Sequence, residues 1–555
     1  MQGDSSSDQR SSELMKSCNI GAMIDEAADV APESLALQVP AKNISLSFRE
    51  LRTACDEIAS GLLKAGLKRG DRVLLMVPFG MDFISLTFAL FKAGLVPVLI
   101  DPGMGRQHML QCIAESQPTA MIAIPLAHAV KTFRSRFFKS VRIAITVGRC
   151  WFWGGKTLEQ IKKMGSSAFE VADTQAEDTA AILFTSGSTG PPKGVLYTHG
   201  AFRQQTEILK SLYKIQPGEK DLVTFPLFGL FGIGLGMTAI IPEMDFTRPA
   251  KVDPEALCAL IEKHKISSAF GSPALWNTVT RYCERQNRNL KSLRRILIAG
   301  APVPGTLLQR FEKLVDPACQ IHTPYGATES LPVASFERRE ILGEAWELSQ
   351  QGMGTCVGNP VPGVEVSIIK ITDDLIASWS ENLKLPQGGV GEIVVKSPWT
   401  TRQYFNRETA NRLAKIADGE SIRHRMGDIG RIDERGRLWF YGRKSHRVET
   451  GTQTLFTIPC ETLFNQHPYV RRSALVGVGP EGRKTPVIII EPENEMPCTT
   501  NERDHWIAEL LTLARRSPIT QPIERVLFYP DFPVDVRHNA KIFREKLAKW
   551  AEQQI

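Results

Sequence analysis

The sequence predicts an α/β protein: a large N-terminal αβ domain with parallel-type sheets, followed by a small α+β domain. Three observations carry this reading. Near-continuous apolar runs alternate with amphipathic stretches through the N-terminal half, as in parallel βαβ units whose strands are covered on both faces. From Gly388 the texture changes to short runs punctuated by glycine, as in antiparallel strands joined by tight turns. Beyond Lys444 a further segment has apolar content of its own, and 555 residues are too many for one ordinary core.

Taken in order, the chain opens MQGDSSSDQRSSE, which is polar and has no apolar h-region. Residues 1–19 are therefore read as a disordered lead-in. Leu51 to Leu67 places apolar residues at helical spacing. Gly70 to Val77 is a turn feeding a strand, Phe83 to Ala93 a helix, and Leu95 to Asp101 a second buried strand. The pattern recurs at AAILFTSGSTG, ISSAFGSPA and RRILIAGAPVP. Each of these runs ends in Gly, Ser or Pro, at the carboxyl edge of a parallel sheet, where such folds build their sites. GGVGEIVVKSP and RMGDIGRIDERGRLWFYGR read as antiparallel strands. Ala474 to Val478, Val487 to Ile490, a helix around Trp506 to Arg515 and a basic terminal helix make up the smaller unit. The expected division is residues 20–442 and 447–555, with the domain boundary at 443–446.

Composition excludes several classes. Hydrophobic residues at 43% and charged residues at 23% fit a globular protein. A net charge of +7 is mild for this length and suits an anionic small molecule. The densest basic stretch, Arg423 to Arg447, is broken by Asp428, Asp433 and Glu434, so no nucleic-acid partner is expected. The ten cysteines include no CxxC pair, which points to reduced thiols in a cytoplasmic protein and not to a zinc or redox site. The most apolar run, Leu230 to Ile241, is well short of the ~20 residues that span a bilayer.

The chemistry concentrates first in Thr185-Ser186-Gly187-Ser188-Thr189-Gly190-Pro191-Pro192-Lys193-Gly194, directly after an apolar strand. Thr185, Ser186, Ser188 and Thr189 supply compact donors for phosphate oxygens. Gly187, Gly190 and Gly194 are expected to let the backbone approach a ligand and take positive φ. Successive N–H groups can form an anion nest, and Lys193 adds a point charge. The order is not a Walker A loop, because Gly194 follows Lys193 where that motif needs Ser or Thr.

This loop closely resembles the phosphate loop of the adenylate-forming enzymes: acyl- and aryl-CoA synthetases, peptide-synthetase adenylation domains and luciferases. Further motifs follow in the family's order. Tyr325-Gly326-Ala327-Thr328-Glu329 resembles its second signature, which implies adenine stacking by Tyr325, α-phosphate and acyl contact by Thr328, and Mg²⁺ binding by Glu329. Gly300-Ala301-Pro302 resembles the adenine-side segment. Asp428, in Met426-Gly427-Asp428-Ile429-Gly430, matches the ribose-binding carboxylate, and Arg443 the hinge arginine that contacts ribose or phosphate. Lys541 matches the adenylation lysine, with Ala540 where relatives have Gly. The pivot position, Asp or Lys in relatives, is Ser445, followed by His446. The resemblance runs from about Ile20 to Trp550 and implies a β-barrel-like part in the large domain and a mobile C-terminal domain. It also implies ATP and Mg²⁺ as cofactors.

Phe225 to Gly236 resembles the acyl-pocket segment. Phe228, Gly229, Phe231 and Gly232 are the candidates there: the glycines either spare room for a long alkyl chain or pack a buried helix tightly. Together with Arg443-Lys-Ser-His-Arg-Val and Thr457-Ile-Pro-Cys-Glu, this segment looks like the OleC-type β-lactone synthetases of bacterial long-chain olefin biosynthesis. That resemblance implies a long-chain 2-alkyl-3-hydroxy fatty acid as substrate, ring closure by its own 3-hydroxyl, and assembly with other olefin-pathway enzymes. A fatty-acyl-CoA synthetase and a non-catalytic scaffold of the same fold are the competing readings.

Overall fold

The computed structural model describes residues 18–185, 192–497, 499–534 and 542–555. The chain divides into two compact units. The first comprises residues up to Phe246 with 264–269 and 401–411, and the second comprises 247–263, 270–400 and 412–555.

The first unit holds a seven-stranded sheet. Its strands run, in spatial order, Lys156–Thr157, Ile143–Thr146, Ala120–Ala123, Arg72–Met76, Val96–Ile100, Thr179–Thr185 and Lys193–Thr198. All neighbours are parallel except the last pair. The central residues of Arg72–Met76, Ala120–Ala123 and Thr179–Thr185 are buried, as strands covered on both faces must be. The helix over Phe48–Lys64 begins at a capping box in which Ser47 and Glu50 satisfy each other's backbone N–H groups. Met81–Lys92 follows as the next helix. A second group of strands, Ile44–Ser47, Leu35–Val39, Thr238–Ile240 and Lys220–Leu222, is parallel apart from the first pair. Within the expected lead-in, Asn19 is fully buried. Its amide donates to Phe91 O at 2.8 Å and Ala172 O at 3.1 Å, so order begins before Ile20.

The second unit contains Arg295–Ile298 parallel to Gln320–Ala327, then a long antiparallel run. That run continues through Ser330–Glu337, Thr355–Pro360, Leu438–Arg443, Ser421–Ile432, Gly391–Lys396 and Glu365–Ile369. The change of texture read at Gly388 lies within it. The part expected to be barrel-like is this sheet, which curls without closing into a barrel. Residues beyond Val470 form a three-stranded sheet of Val470–Val478, Thr485–Pro492 and Arg525–Phe528, with helices Thr500–Arg515 and Arg544–Glu552. Phe464, Leu475, Ile488, Ile490 and Leu510 centre an apolar cluster there.

Candidate active site

The phosphate loop leaves the sheet between Thr185 and Lys193, which are cross-strand partners in an antiparallel pair. Ser186, Gly187, Ser188, Thr189 and Gly190 lie outside the described residues, as does Lys541. Lys193 is half-buried, and its Nζ sits 4.9 Å from the centre of the Tyr404 ring, a cation–π contact that the sequence did not signal. Gly194 does not have positive φ. A Cβ there would come within 2.8 Å of Phe184 Cζ and 3.0 Å of Ile182 Cγ2, and its carbonyl accepts from Phe405 N–H at 2.7 Å. Its role is close internal packing, not room for a ligand.

In the second unit the predicted Tyr325, Asp428 and Arg443 come together. Tyr325 lies at the end of Gln320–Ala327, where Gly326 marks a register shift. A Cβ at Gly326 would meet Ser330 O at 2.6 Å, so only glycine passes. Thr328 and Glu329 are the two-residue tip of the hairpin to Ser330–Glu337, and both are half-buried. Asp428 and Arg443 face each other directly on adjacent strands. Gly442 takes φ 123°, and a Cβ there would lie 2.2 Å from Thr457 Oγ1.

Tyr325 Oη donates to Asp428 Oδ2 at 2.6 Å. Arg443 Nη1 lies 2.8 Å from Asp428 Oδ1 but donates its hydrogen bond to Met426 O at 3.2 Å. Asp428 Oδ1 is therefore ion-paired, buried, and without a hydrogen-bond donor among the described residues. Burial raises the Asp428 carboxyl above its ordinary value, opposed chiefly by the Arg443 guanidinium. Burial and the Asp428 charge push the Tyr325 phenol well up, so it stays a donor. The Asp428 carboxylate raises Arg443, and Glu329 acts on both Asp428 and Arg443 through its charge. A buried carboxylate oxygen lacking a donor beside an aromatic ring is the arrangement a nucleoside with free hydroxyls would complete.

Gly300, at φ 99°, Ala301 and Pro302 follow Arg295–Ile298 as a turn in this same unit. Around the expected hinge, Ser445 is exposed and His446 half-buried in a short turn. Lys444 is tethered instead: its Nζ donates to Thr372 O at 2.8 Å and lies 3.4 Å from the buried Glu392. Two residues near the terminal motif were not foreseen as a pair. Glu461 is buried, accepts two bonds from Arg544 Nη2 at 2.8 and 2.7 Å, and takes the Leu475 N–H at 2.8 Å. A charged residue inside the apolar Thr457–Phe464 helix was the signal available.

Among the acyl-pocket candidates, Phe228 and Phe231 are half-buried on the helix Pro226–Gly234, with rings 6.2 Å apart and edge to face. Gly229 leaves no room: a Cβ would fall 2.6 Å from Val223 Cγ1. Gly232 would meet only ordinary contacts. An apolar cavity of about 30 Å³ in the first unit is lined by Leu227, Leu230 and Phe231 of this helix with Ile20, Phe88 and Leu183 among others. Phe228, Gly229 and Gly232 do not line it.

A family description of AMP-binding enzymes matches residues 24–405, more than half of the chain. The chain belongs to the AMP-binding enzyme family. Two relatives of this AMP-binding enzyme, each named olefin beta-lactone synthetase, match almost end to end. That of Xanthomonas campestris pv. campestris is 45% identical over 97% of this chain and 98% of its own. That of Stenotrophomonas maltophilia is 43% identical over 98% and 99%. The solved structure of ATP-bound MatB from Rhodopseudomonas palustris shares the fold, with a TM-score of 0.80 at 20% identity, covering 97% of this chain and all of that one. This AMP-binding enzyme is accordingly an AMP-forming ligase, and no helix among its described residues is long and apolar enough to cross a membrane.

Mg²⁺ fits the residues in a particular way. Among the described residues no group of three His, Cys, Asp or Glu side chains could hold a metal unaided. Mg²⁺ binds ATP enzymes through one or two carboxylates with phosphate and water completing its shell. Glu329, at a half-buried hairpin tip, is suited to supply one such oxygen.

Proposed function

We propose that this enzyme activates a long-chain 2-alkyl-3-hydroxy fatty acid as its acyl-adenylate and then closes it to a β-lactone. The observation that carries this reading is near-full-length identity of 45% to a relative named for that product. In the first step a carboxylate oxygen attacks the α-phosphorus of ATP, and pyrophosphate leaves with the bonding electrons. Positioning and charge neutralisation do most of this work. Lys193 and the hydroxyls of Thr185, Ser186, Ser188 and Thr189 hold phosphate oxygens. Tyr325 faces the adenine, with Gly300, Ala301 and Pro302 on the same side. Asp428 Oδ1 accepts from a ribose hydroxyl, with the Arg443 guanidinium as the carboxylate's counter-charge. Thr328 contacts the α-phosphate and acyl region. Glu329 would hold Mg²⁺, which when bound neutralises charge on the triphosphate. Lys541 meets the charge building between carboxylate and α-phosphate, carried there by rotation of residues 447–555 about 443–446.

In the second step the substrate's 3-hydroxyl oxygen attacks its own acyl carbon. Its proton passes to a base, and AMP leaves as the acyl C–O bond breaks. Intramolecular attack gains effective molarity, which helps offset the strain of a four-membered ring. The reading places the reaction in the cytoplasm, in assembly with other olefin-pathway enzymes. Mass spectrometry of products from ATP and a 2-alkyl-3-hydroxy acid, with and without CoA, tests it. A β-lactone and AMP formed without CoA are expected. A thioester formed only when CoA is present would replace this reading with an acyl-CoA synthetase.

A further inference from the structure

From Ser116 to Leu158 the chain contains no Asp or Glu and seven Lys or Arg. Those seven cations equal the net charge of +7 of the whole protein, so everything outside this segment is neutral in balance. Basic density alone, by which Arg423–Arg447 stands out, misses this. There many of the cations are paired: Arg423 with Asp418 and Glu365, Arg425 with Glu392, Arg437 with Asp433. In the Ser116–Leu158 segment Arg134, Arg136, Lys139, Arg142 and Arg149 are exposed and have no acid of their own segment to meet.

The same segment carries every exposed Phe and Trp among the described residues: Phe133 is 80% exposed, Trp151 62% and Phe152 69%. Leu126, 72% exposed, precedes Phe133 by two helical turns on the helix Pro125–Phe133, so the two share a face. The base beneath these side chains is fixed. His128, from the same helix, is buried, stacks on Trp153 with centroids 5.7 Å apart, and bonds Ile145 O through Nε2 at 3.0 Å. Trp153 donates to Thr146 Oγ1 at 3.0 Å. Phe138 is buried and anchors the turn between Phe133 and Arg142. Trp151 and Phe152 each touch the Trp153 ring, at 5.4 and 5.2 Å between centroids, yet stay mostly exposed.

Aromatic side chains and unpaired Lys or Arg together suit the headgroup region of a bilayer, where rings enter the interface and cations meet lipid phosphates. A uniform absence of acid complements a surface of uniform negative charge. We propose that the exposed aromatic and basic side chains of this segment, on the Pro125–Phe133 helix and the Arg149–Lys156 loop, dock this enzyme peripherally on an anionic lipid bilayer.

Co-sedimentation of the full chain with vesicles tests this, using phosphatidylcholine alone against phosphatidylcholine containing phosphatidylglycerol. Binding is expected only to the anionic vesicles, and it should weaken as salt rises. Arg134→Gln with Arg136→Gln should weaken it roughly 25-fold, about fivefold for each cation removed. Trp151→Ser with Phe152→Ser should weaken it at every salt concentration. Unchanged thermal melting by circular dichroism shows that both variants are folded. Equal partition to neutral and anionic vesicles, or vesicle binding untouched by either double variant, overturns the proposal. So does a full chain that ignores vesicles but self-associates through Trp151 and Phe152 in analytical ultracentrifugation, which would make the face a protein interface.

Discussion

The Tyr325 hydroxyl reaches Asp428 Oδ2 at 2.6 Å although three strands separate the two residues in sheet order. A flat sheet would hold such strands about 19 Å apart at the usual inter-strand spacing. The bond exists because the antiparallel run curls, bringing Tyr325, Val333, Val395, Met426 and Leu438 into one apolar cluster. The curl delivers an aromatic ring and a carboxylate to one place and leaves the carboxylate's other oxygen facing the Arg443 guanidinium at 2.8 Å.

Substitutions at this pair should separate their roles. Tyr325→Phe keeps the ring and removes one bond to a charged acceptor, so pyrophosphate–ATP exchange should show KM for ATP raised about tenfold with kcat little changed. Asp428→Asn should cost about 100-fold in kcat/KM, because the proposed ribose contact is weakened and Arg443 loses its counter-charge. Equal activity of Asp428→Asn and wild type would remove Asp428 from the nucleotide site.

Lys541 is proposed to act on developing charge, so Lys541→Ala should lower the rate of adenylate formation by about 10² to 10³ while leaving ATP binding largely intact. Single-turnover measurement of acyl-adenylate formation, beside ATP affinity by calorimetry, reads both. A change confined to ATP affinity would make Lys541 a binding residue only.

His199 gives a pH dependence that can be signed in advance. It is buried, its Nδ1 accepts the Ile20 N–H at 3.1 Å, and burial holds its pKa down at about 4. The unfolded chain therefore binds a proton between roughly pH 6.5 and 4 that the folded chain refuses. Stability rises with pH through this window and is lost as pH falls through it, by about 3 kcal/mol for this one group. Denaturant titrations at pH 7 and pH 5, which span about 2 kcal/mol of that loss, should show it reduced in His199→Gln, which keeps an acceptor and does not titrate.

Arg544, three residues beyond Lys541 in sequence, forms a buried bidentate pair with Glu461. Glu461→Gln should destabilise the protein by about 3 kcal/mol, because the guanidinium is left without its counter-charge. The midpoint in guanidinium chloride reports it. Reversal in the double variant Glu461→Gln, Arg544→Met would show the penalty to be the stranded charge.

Gly229→Ala tests the packing reading of the Pro226–Gly234 helix. Its Cβ would meet Val223 at 2.6 Å, so a loss of about 1–3 kcal/mol in unfolding free energy is expected. A substitution tolerated without loss would restore the idea that glycine here spares space.

The sequence by itself determined the alternation of strand and helix, the switch to antiparallel strands, and the order of the nucleotide motifs. Those are local: hydrophobic period, turn residues and motif spacing depend on neighbours along the chain. The strands at Arg72–Met76 and Arg295–Ile298, the helix at Met81–Lys92 and the turn at Gly300 all fall where those patterns put them. Tertiary structure alone decided that Gly194 and Gly229 serve packing, since only a folded core places Phe184 or Val223 against a missing Cβ. It also decided the Tyr325–Asp428 bond, the Glu461–Arg544 pair and the Tyr404 ring beside Lys193. Each joins residues far apart in the chain, and no local pattern encodes which distant partner a curled sheet will supply.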